Sequence, residues 1–226
     1  MAAGSSSLHK DFKMPSAPIV HLVDDDSAFL AAMGRYLRAA GFAVATFSSG
    51  AELLSQVSTQ TRGCVVADLA MPGLSGLELQ AMLADRDVAM PMVFLTGQAD
   101  IPSSVRAMRC GAVDFLEKLA PKEQLVTAIT RALEHDADAY AARLRLEERR
   151  HRLAALTERE REVLALVVRG KMNKQIAAVL GIHERTVKLH RTAITTKLGV
   201  HAVAQLAILA SEARLLESGL SAAAGH

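Results

Sequence analysis

Three adjacent aspartates, Asp24, Asp25 and Asp26, follow the apolar run PIVHLV at residues 18–23. Two like charges about 4 Å apart repel by ~1 kcal/mol in water and by ~4 kcal/mol near a protein surface. The carboxylates therefore either point apart into solvent or are held together by a cation. Asp26 and Ser27 have a simpler role open to them, because either can cap a following helix. For Asp26 we favour capping.

Other polar residues stand where further apolar runs end. Asp68 ends CVVAD, Thr96 ends PMVFLT, and Lys118 follows AVDFL by two positions. Each residue alone has an ordinary alternative as a turn former, a loop residue or a surface lysine. Together, carboxylates, a hydroxyl and an ammonium suit a divalent cation such as Mg²⁺ and a phosphoryl group.

These residues need a scaffold that brings the ends of separate segments to one place. Between residues 18 and 133, strand-like apolar runs alternate with amphipathic helix-like runs five times. Parallel neighbouring strands require crossover helices, so this alternation predicts a doubly wound, five-stranded parallel sheet. Ligands bind at the carboxyl ends of such strands. We therefore expect the candidate residues to converge at one edge.

The charge distribution indicates a second domain. Residues 1–150 contain 15 Lys and Arg against 18 Asp and Glu, whereas residues 151–226 contain 11 against 6. A basic second part is typical of a domain that faces a polyanion such as nucleic acid. An ordinary solvated basic surface is the alternative at this point.

The first part resembles a known family on four quoted motifs: VDDDS, VVADLAMPGLSGLEL, VFLTGQAD and GAVDFLEK. Together they resemble the receiver domain of bacterial two-component response regulators, over residues 17–134. The resemblance implies a flavodoxin-like, CheY-like fold with Asp68 as the phosphorylated residue. It also implies Mg²⁺ as cofactor, with Asp24, Asp25, Asp68 and the backbone carbonyl of Ala70 as its ligands.

The same resemblance implies that Lys118 and Thr96 bind the phosphoryl group and that Phe115 is the switch aromatic. In one place the sequence departs from the family, which usually has a proline where Leu119 follows the lysine. A cis bond to a non-proline residue costs ~2.5–4 kcal/mol, so we expect a trans bond and a displaced loop. A regulator that acts largely without phosphorylation is the alternative.

The segment from Pro121 to about Arg152 contains no strong helix breaker, and its apolar residues recur at roughly helical spacing. We predict that the last receiver helix continues into a helical linker at residues 135–153. A shorter helix followed by a flexible linker is the alternative. A continuous helix would offer an apolar stripe for dimerisation.

Residues 156–210 are helical by pattern. Thr157 and Glu160 have the form of a capping box, and Asn173 can cap the next helix. A short helix, a turn containing Gly181 and a longer helix ending at Gly199 predict a helix-turn-helix. On the longer helix the predicted inward residues are Val187, Ile194 and Leu198, and the predicted outward residues are Lys188, Arg191, Thr192 and Thr195.

The motifs LTEREREVL, NKQIA and TVKLHRTAITTKLGV resemble the LuxR/NarL-type DNA-binding domain, an all-α unit of four helices assigned here to residues 154–215. The resemblance implies a set of DNA-contacting residues: Lys174, Thr186, Lys188, His190, Arg191 and Lys197. Lys188 and Arg191 are the best groove-facing side chains, Lys174 and Lys197 are placed near phosphates, and His190 is a supporting or backbone-contacting residue. His183 stands where Ser or Thr usually caps the helix. Because histidine caps less well, we expect it to lower the stability of the helix by ~1 kcal/mol.

The remaining features indicate the compartment. We predict a disordered lead-in at residues 1–16 and a flexible tail at residues 216–226. No apolar run approaches the ~20 residues that cross a bilayer, and no secretory signal is recognisable, so we expect a cytoplasmic protein that does not contact membranes. Cys64 and Cys110 lie in apolar surroundings and are predicted to be buried, reduced thiols.

Taken together, the motifs predict a transcriptional response regulator of the NarL/FixJ class that is not an enzyme. Its expected partners are a sensor histidine kinase, double-stranded DNA and a second copy of the chain on activation. A phosphatase that depends on Mg²⁺ is a rival class, but it generally needs an acid two residues after its nucleophile, where this chain has Ala70. A signalling scaffold that acts through protein contacts alone is the third class.

Overall fold

The computed structural model of the chain describes residues 17–97 and 101–200. The predicted lead-in at residues 1–16, the tail at residues 216–226 and the fourth helix of the second domain lie outside the described residues. The chain divides into two compact units, Met1–Tyr140 and Ala141–His226. Within the part that the structure describes, no helix is both long and apolar enough to cross a membrane.

The first unit contains a parallel sheet of five strands, which are β1 Ile19–Val23, β2 Val44–Phe47, β3 Gly63–Asp68, β4 Met92–Thr96 and β5 Asp114–Glu117. Their order in the sheet is β2-β1-β3-β4-β5. This confirms the predicted fold class. The helices are α1 Ser27–Ala39, α2 Gly50–Gln56, α3 Gly76–Asp85, α4 Ile101–Arg109 and α5 Lys122–Ala154.

The central strands β3 and β4 are buried along their whole length. Successive side chains of a strand point to opposite faces, so these strands supply two separate cores. Val65 and Phe94 pack with residues of α2, α3 and α4 on one face. Val66 and Val93 pack with residues of α1 and α5 on the other. The site at the strand ends therefore stands on strands that are packed on both sides.

Helix α5 runs through residues Lys122–Ala154 and includes the segment predicted as a helical linker. The alternative, a short helix followed by a flexible linker, is not observed. The division between the two compact units falls within this helix, after Tyr140.

The part of α5 that precedes the division is tied to the sheet by one ion pair. The guanidinium of Arg62, the residue before β3, lies 2.7 Å from Asp136 Oδ2 through Nη2 and donates a hydrogen bond of 2.8 Å through Nε. Both side chains are nearly buried. The guanidinium also lies 3.7 Å from the centre of the Tyr140 ring, within cation–π range. These contacts hold α5 in place beyond its apolar core residues.

The second unit contains α6 Glu158–Val168, α7 Asn173–Leu180 and α8 Glu184–Leu198, packed around one apolar core. The capping box of Thr157 and Glu160 is present as predicted. The predicted cap at Asn173 is wrong, because Met172 occupies the cap position and Asn173 is the first helical residue. The Asn173 side chain is instead engaged across the unit, as described below.

The prediction for the two cysteines is correct for one of them. Cys64 lies in β3 and is buried, and desolvation together with the charge of Asp136 raises the pKa of its thiol to about 12. Cys110 is exposed. It lies in the turn after α4, where its chain neighbours Arg109 and Gly111 are exposed as well.

We expect the Asp136→Asn substitution to destabilise the first unit by ~3 kcal/mol, because it leaves the nearly buried guanidinium of Arg62 without its countercharge. Urea unfolding followed by circular dichroism measures this loss. Asp138→Asn is the matched control, since Asp138 is an exposed aspartate on the same helix. Equal stability of the two variants would contradict a stabilising role for the ion pair.

Candidate functional site

Three carboxylates meet at the carboxyl edge of the sheet. Asp24 and Asp25 directly follow β1, and Asp68 is the last residue of β3. One oxygen of each carboxylate lies within 4.8 Å of the others. Asp24 and Asp68 are buried, whereas Asp25 is exposed. The three acids therefore converge, as the sequence predicted.

Lys118, directly after β5, places its ammonium between two of these acids. Its Nζ atom lies 2.7 Å from Asp24 Oδ2 and 3.1 Å from Asp68 Oδ2. The backbone N–H of Lys118 donates a 2.8 Å hydrogen bond to the carbonyl of Thr96. The residue is thus held by the end of β4 as well as by the carboxylates.

Burial and crowding set the protonation of this pocket. Desolvation, together with the nearby Asp68 charge, raises the pKa of Asp24, while the contacts with Lys118 and the Asp26 N–H oppose that rise. Burial alone would lower the pKa of Lys118, but its hydrogen bonds to Asp24 and Asp68 raise it overall. The lysine therefore stays charged. An additional cation would offset more of the negative charge of the three acids.

The donor set fits a hard divalent cation. Asp68 Oδ1 is buried and accepts no hydrogen bond from any residue in the described ranges. A buried carboxylate oxygen normally has a partner, and carboxylate oxygens are the ligands that Mg²⁺ prefers. Ala70, whose carbonyl is the fourth predicted ligand, lies two residues after Asp68 on the exposed loop.

Local backbone structure fixes the acids. Asp26 caps α1, as predicted, and accepts hydrogen bonds from the N–H groups of Ala28 and Phe29. Its own N–H donates to Asp24 Oδ1 at 3.0 Å. On the other side, a Cβ atom at Gly76 would lie 2.6 Å from the carbonyl oxygen of Asp68. Only glycine therefore allows α3 to begin so close to the end of β3.

The two predicted switch residues lie on the neighbouring strands. Thr96 is the buried last residue of β4. Phe115 is a half-buried residue of β5, and its ring centre lies 6.5 Å from that of the fully buried Phe94. In the register of the sheet Phe115 pairs with Phe94, two residues before Thr96, so the two predicted switch residues lie on the same face of neighbouring strands.

The loop after Lys118 has the peptide geometry that we expected, because the Lys118–Leu119 bond is trans. With this bond, Nζ of Lys118 reaches both Asp24 and Asp68. The exposed side chain of Leu119 accommodates the change, since 90 % of its surface is accessible and it imposes no packing on the loop.

In the second unit, α8 presents the predicted inward face. Val187, Ile194 and Leu198 are buried in the core of the unit. His183 occupies the cap position and makes no side-chain capping bond. The helix therefore begins without the usual side-chain acceptor.

The six predicted DNA contacts are not equally available. Lys188 is exposed on α8, in a loose surface pair with Glu184 at 3.8 Å. Lys174 is exposed on α7, and it has no ion-pair partner among residues 17–97 and 101–200. Thr186 and His190 are half-buried.

The remaining two contacts have partners within the protein. Arg191 Nη1 donates a 2.8 Å hydrogen bond to Asn173 Oδ1, so the guanidinium does not project freely as predicted. Lys197 Nζ lies 2.7 Å from Glu160 Oε2, which offsets its charge. Sequence reasoning missed both pairings, because the partners lie on different helices and no local signal links them.

Matches to known proteins agree with this geometry. Residues 20–130 match the model of the response regulator receiver domain, and residues 154–210 match the model of bacterial regulatory proteins of the luxR family. The response regulator protein TodT of Pseudomonas putida is 37 % identical over 190 residues, which cover 84 % of each chain. The chain belongs to the NarL/FixJ family of response regulators.

Two further relatives support this assignment. The transcriptional regulatory protein FixJ of Rhizobium meliloti is 39 % identical to this response regulator over 191 residues, which cover 84 % of this chain and 94 % of FixJ. The solved structure of the response regulator StyR is 42 % identical and superposes with a TM-score of 0.79. It covers 86 % of this chain and 98 % of StyR. The chain is thus a two-component response regulator with a receiver and a LuxR-type DNA-binding domain, and it acts in transcription regulation.

The Glu160–Lys197 pair predicts a pH dependence for the second unit of the response regulator. The hydrogen bond from Lys197 and that from the Thr157 N–H lower the pKa of Glu160. A lowered folded-state pKa stabilises the fold above the unfolded value of 4.5, and this contribution is lost as the pH falls through the folded value. We expect Glu160→Gln to cost about 1 kcal/mol at pH 7 and less near pH 3.

Urea unfolding followed by circular dichroism at several pH values measures this difference. Glu162→Gln is the matched control, because Glu162 pairs with Arg159 at the exposed surface of the same helix. A loss in Glu160→Gln that is the same at every pH would contradict the assigned interaction.

Proposed function

We propose that this protein is a phosphorylation-dependent transcriptional response regulator and that Asp68 accepts a phosphoryl group from a sensor histidine kinase. The observation that carries the proposal is the pocket around Asp68, where two further carboxylates and the Lys118 ammonium surround a buried carboxylate oxygen without a hydrogen-bond partner in the described chain. Such a combination of charges serves phosphoryl transfer better than it serves stability.

In the proposed phosphoryl transfer, the carboxylate of Asp68 is the nucleophile. A carboxylate oxygen of Asp68 attacks the phosphorus of the phosphorylated kinase histidine. The phosphorus–nitrogen bond breaks, its electron pair returns to the imidazole, and an acyl phosphate forms on Asp68. Lys118, 3.1 Å from Asp68 Oδ2, is placed to stabilise the negative charge on the transferred oxygens. The Thr96 hydroxyl, at the end of the next strand, is a second group for those oxygens.

The chain supplies a cation site for this reaction. Asp24, Asp25 and Asp68, with the Ala70 carbonyl, are the proposed Mg²⁺ ligands, and the convergence of the three carboxylates supports them. When bound, Mg²⁺ neutralises charge on the phosphoryl oxygens. The three carboxylates would hold the cation next to the oxygen of Asp68 that accepts the phosphoryl group.

Phosphorylation changes the charge at Asp68 from −1 to about −1.5 to −2. Thr96 and Lys118 then follow the new oxygens, and movement of Thr96 makes room for the Phe115 ring to turn inward. Phe115 is half-buried beside Phe94, which supports a ring with two packing positions. The change alters the surface around β4 and β5 and favours a homodimer.

We further propose that the second unit reads double-stranded DNA in the cytoplasm through α8. The predicted contacts are those named above, with Lys188 as the leading base-reading residue and Lys174 as a phosphate contact. In a homodimer, two such helices read half-sites about one turn of DNA apart, ~34 Å. The exposure of Lys188 and Lys174 supports their roles.

The alternatives gain less support. A regulator that acts without phosphorylation was suggested by Leu119, yet Lys118 keeps its contacts with Asp24 and Asp68. A phosphatase would need an acid where the chain has Ala70. A scaffold that acts through protein contacts alone would show no sequence preference in a gel shift against genomic fragments, whereas the proposed regulator selects its operator.

Incubation of the full chain with acetyl phosphate and Mg²⁺, followed by intact mass, tests phosphorylation. We expect the mass of one phosphoryl group on the wild type and none on Asp68→Ala. Asp85→Ala, which removes an exposed carboxylate at the end of α3, is the matched control and should behave like the wild type. No addition on the wild type, or the same addition on Asp68→Ala, would defeat the proposal.

Binding of Lys188→Ala and Lys174→Ala to the preferred operator and to random DNA tests the DNA contacts. A base contact is worth ~1–3 kcal/mol of discrimination, so Lys188→Ala should lose more affinity on the operator than on random DNA. Lys174→Ala should lose affinity equally on both and reduce the salt slope by ~1. If Lys188→Ala lost the same affinity on the operator and on random DNA, Lys188 would be assigned to contact with the DNA backbone only.

A further inference from the structure

The ammonium of Lys118 has an aromatic neighbour besides its two acids. Its Nζ atom lies 4.8 Å from the centre of the Phe29 ring, in the first turn of α1. Phe29 is half-buried and packs against the core between the sheet, α1 and α5. A cation within about 6 Å of a ring centre is attracted by the electrons of its face. The ring is therefore a third contact of this lysine.

The loop after Lys118 gives the side chain little support of its own. The strand end is fixed by the hydrogen bond from the Lys118 N–H to Thr96, and the N–H of Ala120 closes a turn onto Glu117 at 2.9 Å. Leu119 is 90 % exposed and, unlike proline, does not fix its φ angle. A lysine side chain has four rotatable bonds, so its position depends on the groups around its tip.

The ring differs from the carboxylates in what else it must do. Asp24 and Asp68 are also the proposed cation ligands, and Asp68 is the proposed acceptor. During the reaction their negative charge would therefore also interact with the proposed cation and the phosphoryl group, and not with Lys118 alone. The Phe29 ring has no oxygen to coordinate a cation and no N–H or O–H to donate to a phosphoryl group, so its weak attraction for the ammonium is separate from those roles.

We propose that Phe29 is a positioning residue that holds the Lys118 ammonium over the pocket for the incoming phosphoryl group. This inference rests on the proposed phosphorylation of Asp68. The ring supplies, from α1, a constraint that the loop around Leu119 lacks. Because its attraction is weak, the ammonium remains able to move with the phosphoryl oxygens.

The test is the rate of phosphorylation of the full chain by acetyl phosphate and Mg²⁺, measured by intact mass against time. Phe29→Leu and Phe29→Met keep an apolar side chain but remove the aromatic face. Both should slow phosphorylation ~2- to 5-fold, whereas Phe29→Tyr, which keeps the face, should retain the wild-type rate. Thermal unfolding of each variant identifies any that fail to fold.

The matched control is Tyr36→Leu, because Tyr36 is an aromatic residue on the same helix that also contacts a lysine. The Nζ atom of Lys122 lies 4.9 Å from the centre of the Tyr36 ring, outside the pocket. It should leave the rate unchanged. A double-mutant comparison separates positioning from general damage to the fold. In a Lys118→Met background, Phe29→Leu should cause no further loss, since the ring then has no ammonium to hold.

The outcomes separate the inference from the function on which it rests. An unphosphorylated wild type, or an Asp68→Ala variant that is still phosphorylated, overturns the proposed function and this inference with it. A phosphorylated wild type with an unchanged rate in Phe29→Leu and Phe29→Met overturns the positioning role alone. An equal loss of rate with and without Lys118 does the same, because the ring then acts through something other than the lysine.

Discussion

The repulsion among the carboxylates of Asp24, Asp25 and Asp68 is the constraint around which the first unit is built. Parallel strands end at the same edge and bring one oxygen of each acid within 4.8 Å. Lys118 offsets part of this charge, but burial still raises the pKa of Asp24. The pocket therefore favours added positive charge. That preference supports the proposed cation site beside Asp68.

The sheet makes this unfavourable arrangement possible. The two central strands are packed on both faces, so the chain cannot relax by moving the acids apart without disrupting two cores. Less tightly packed residues lie on the edge strand β5 and in the loop that follows it. Phe115 is half-buried while Phe94 is fully buried, and Leu119 is exposed. A rigid site next to loosely packed neighbours is an arrangement that can convert a local change of charge into a change of surface.

In the second unit, much of the positive charge serves the fold. Lys197 is paired with Glu160, and Arg191 is bonded to Asn173. The excess of basic residues counted from the sequence therefore overstates the charge that is free to meet DNA. Lys188 and Lys174, two of the proposed DNA contacts, remain exposed.

The sequence by itself determined the elements and the convergence of the acids. Apolar runs, helix caps such as Asp26 and Thr157, and the order of strand ends are local signals, and the parallel sheet turns that order into proximity. The tertiary structure alone decided which further partners the charged side chains contact. The pairing of Lys118 with Phe29 and of Arg191 with Asn173 joins separate elements, and it depends on how side chains pack across them. Neither spacing nor residue type encodes that packing.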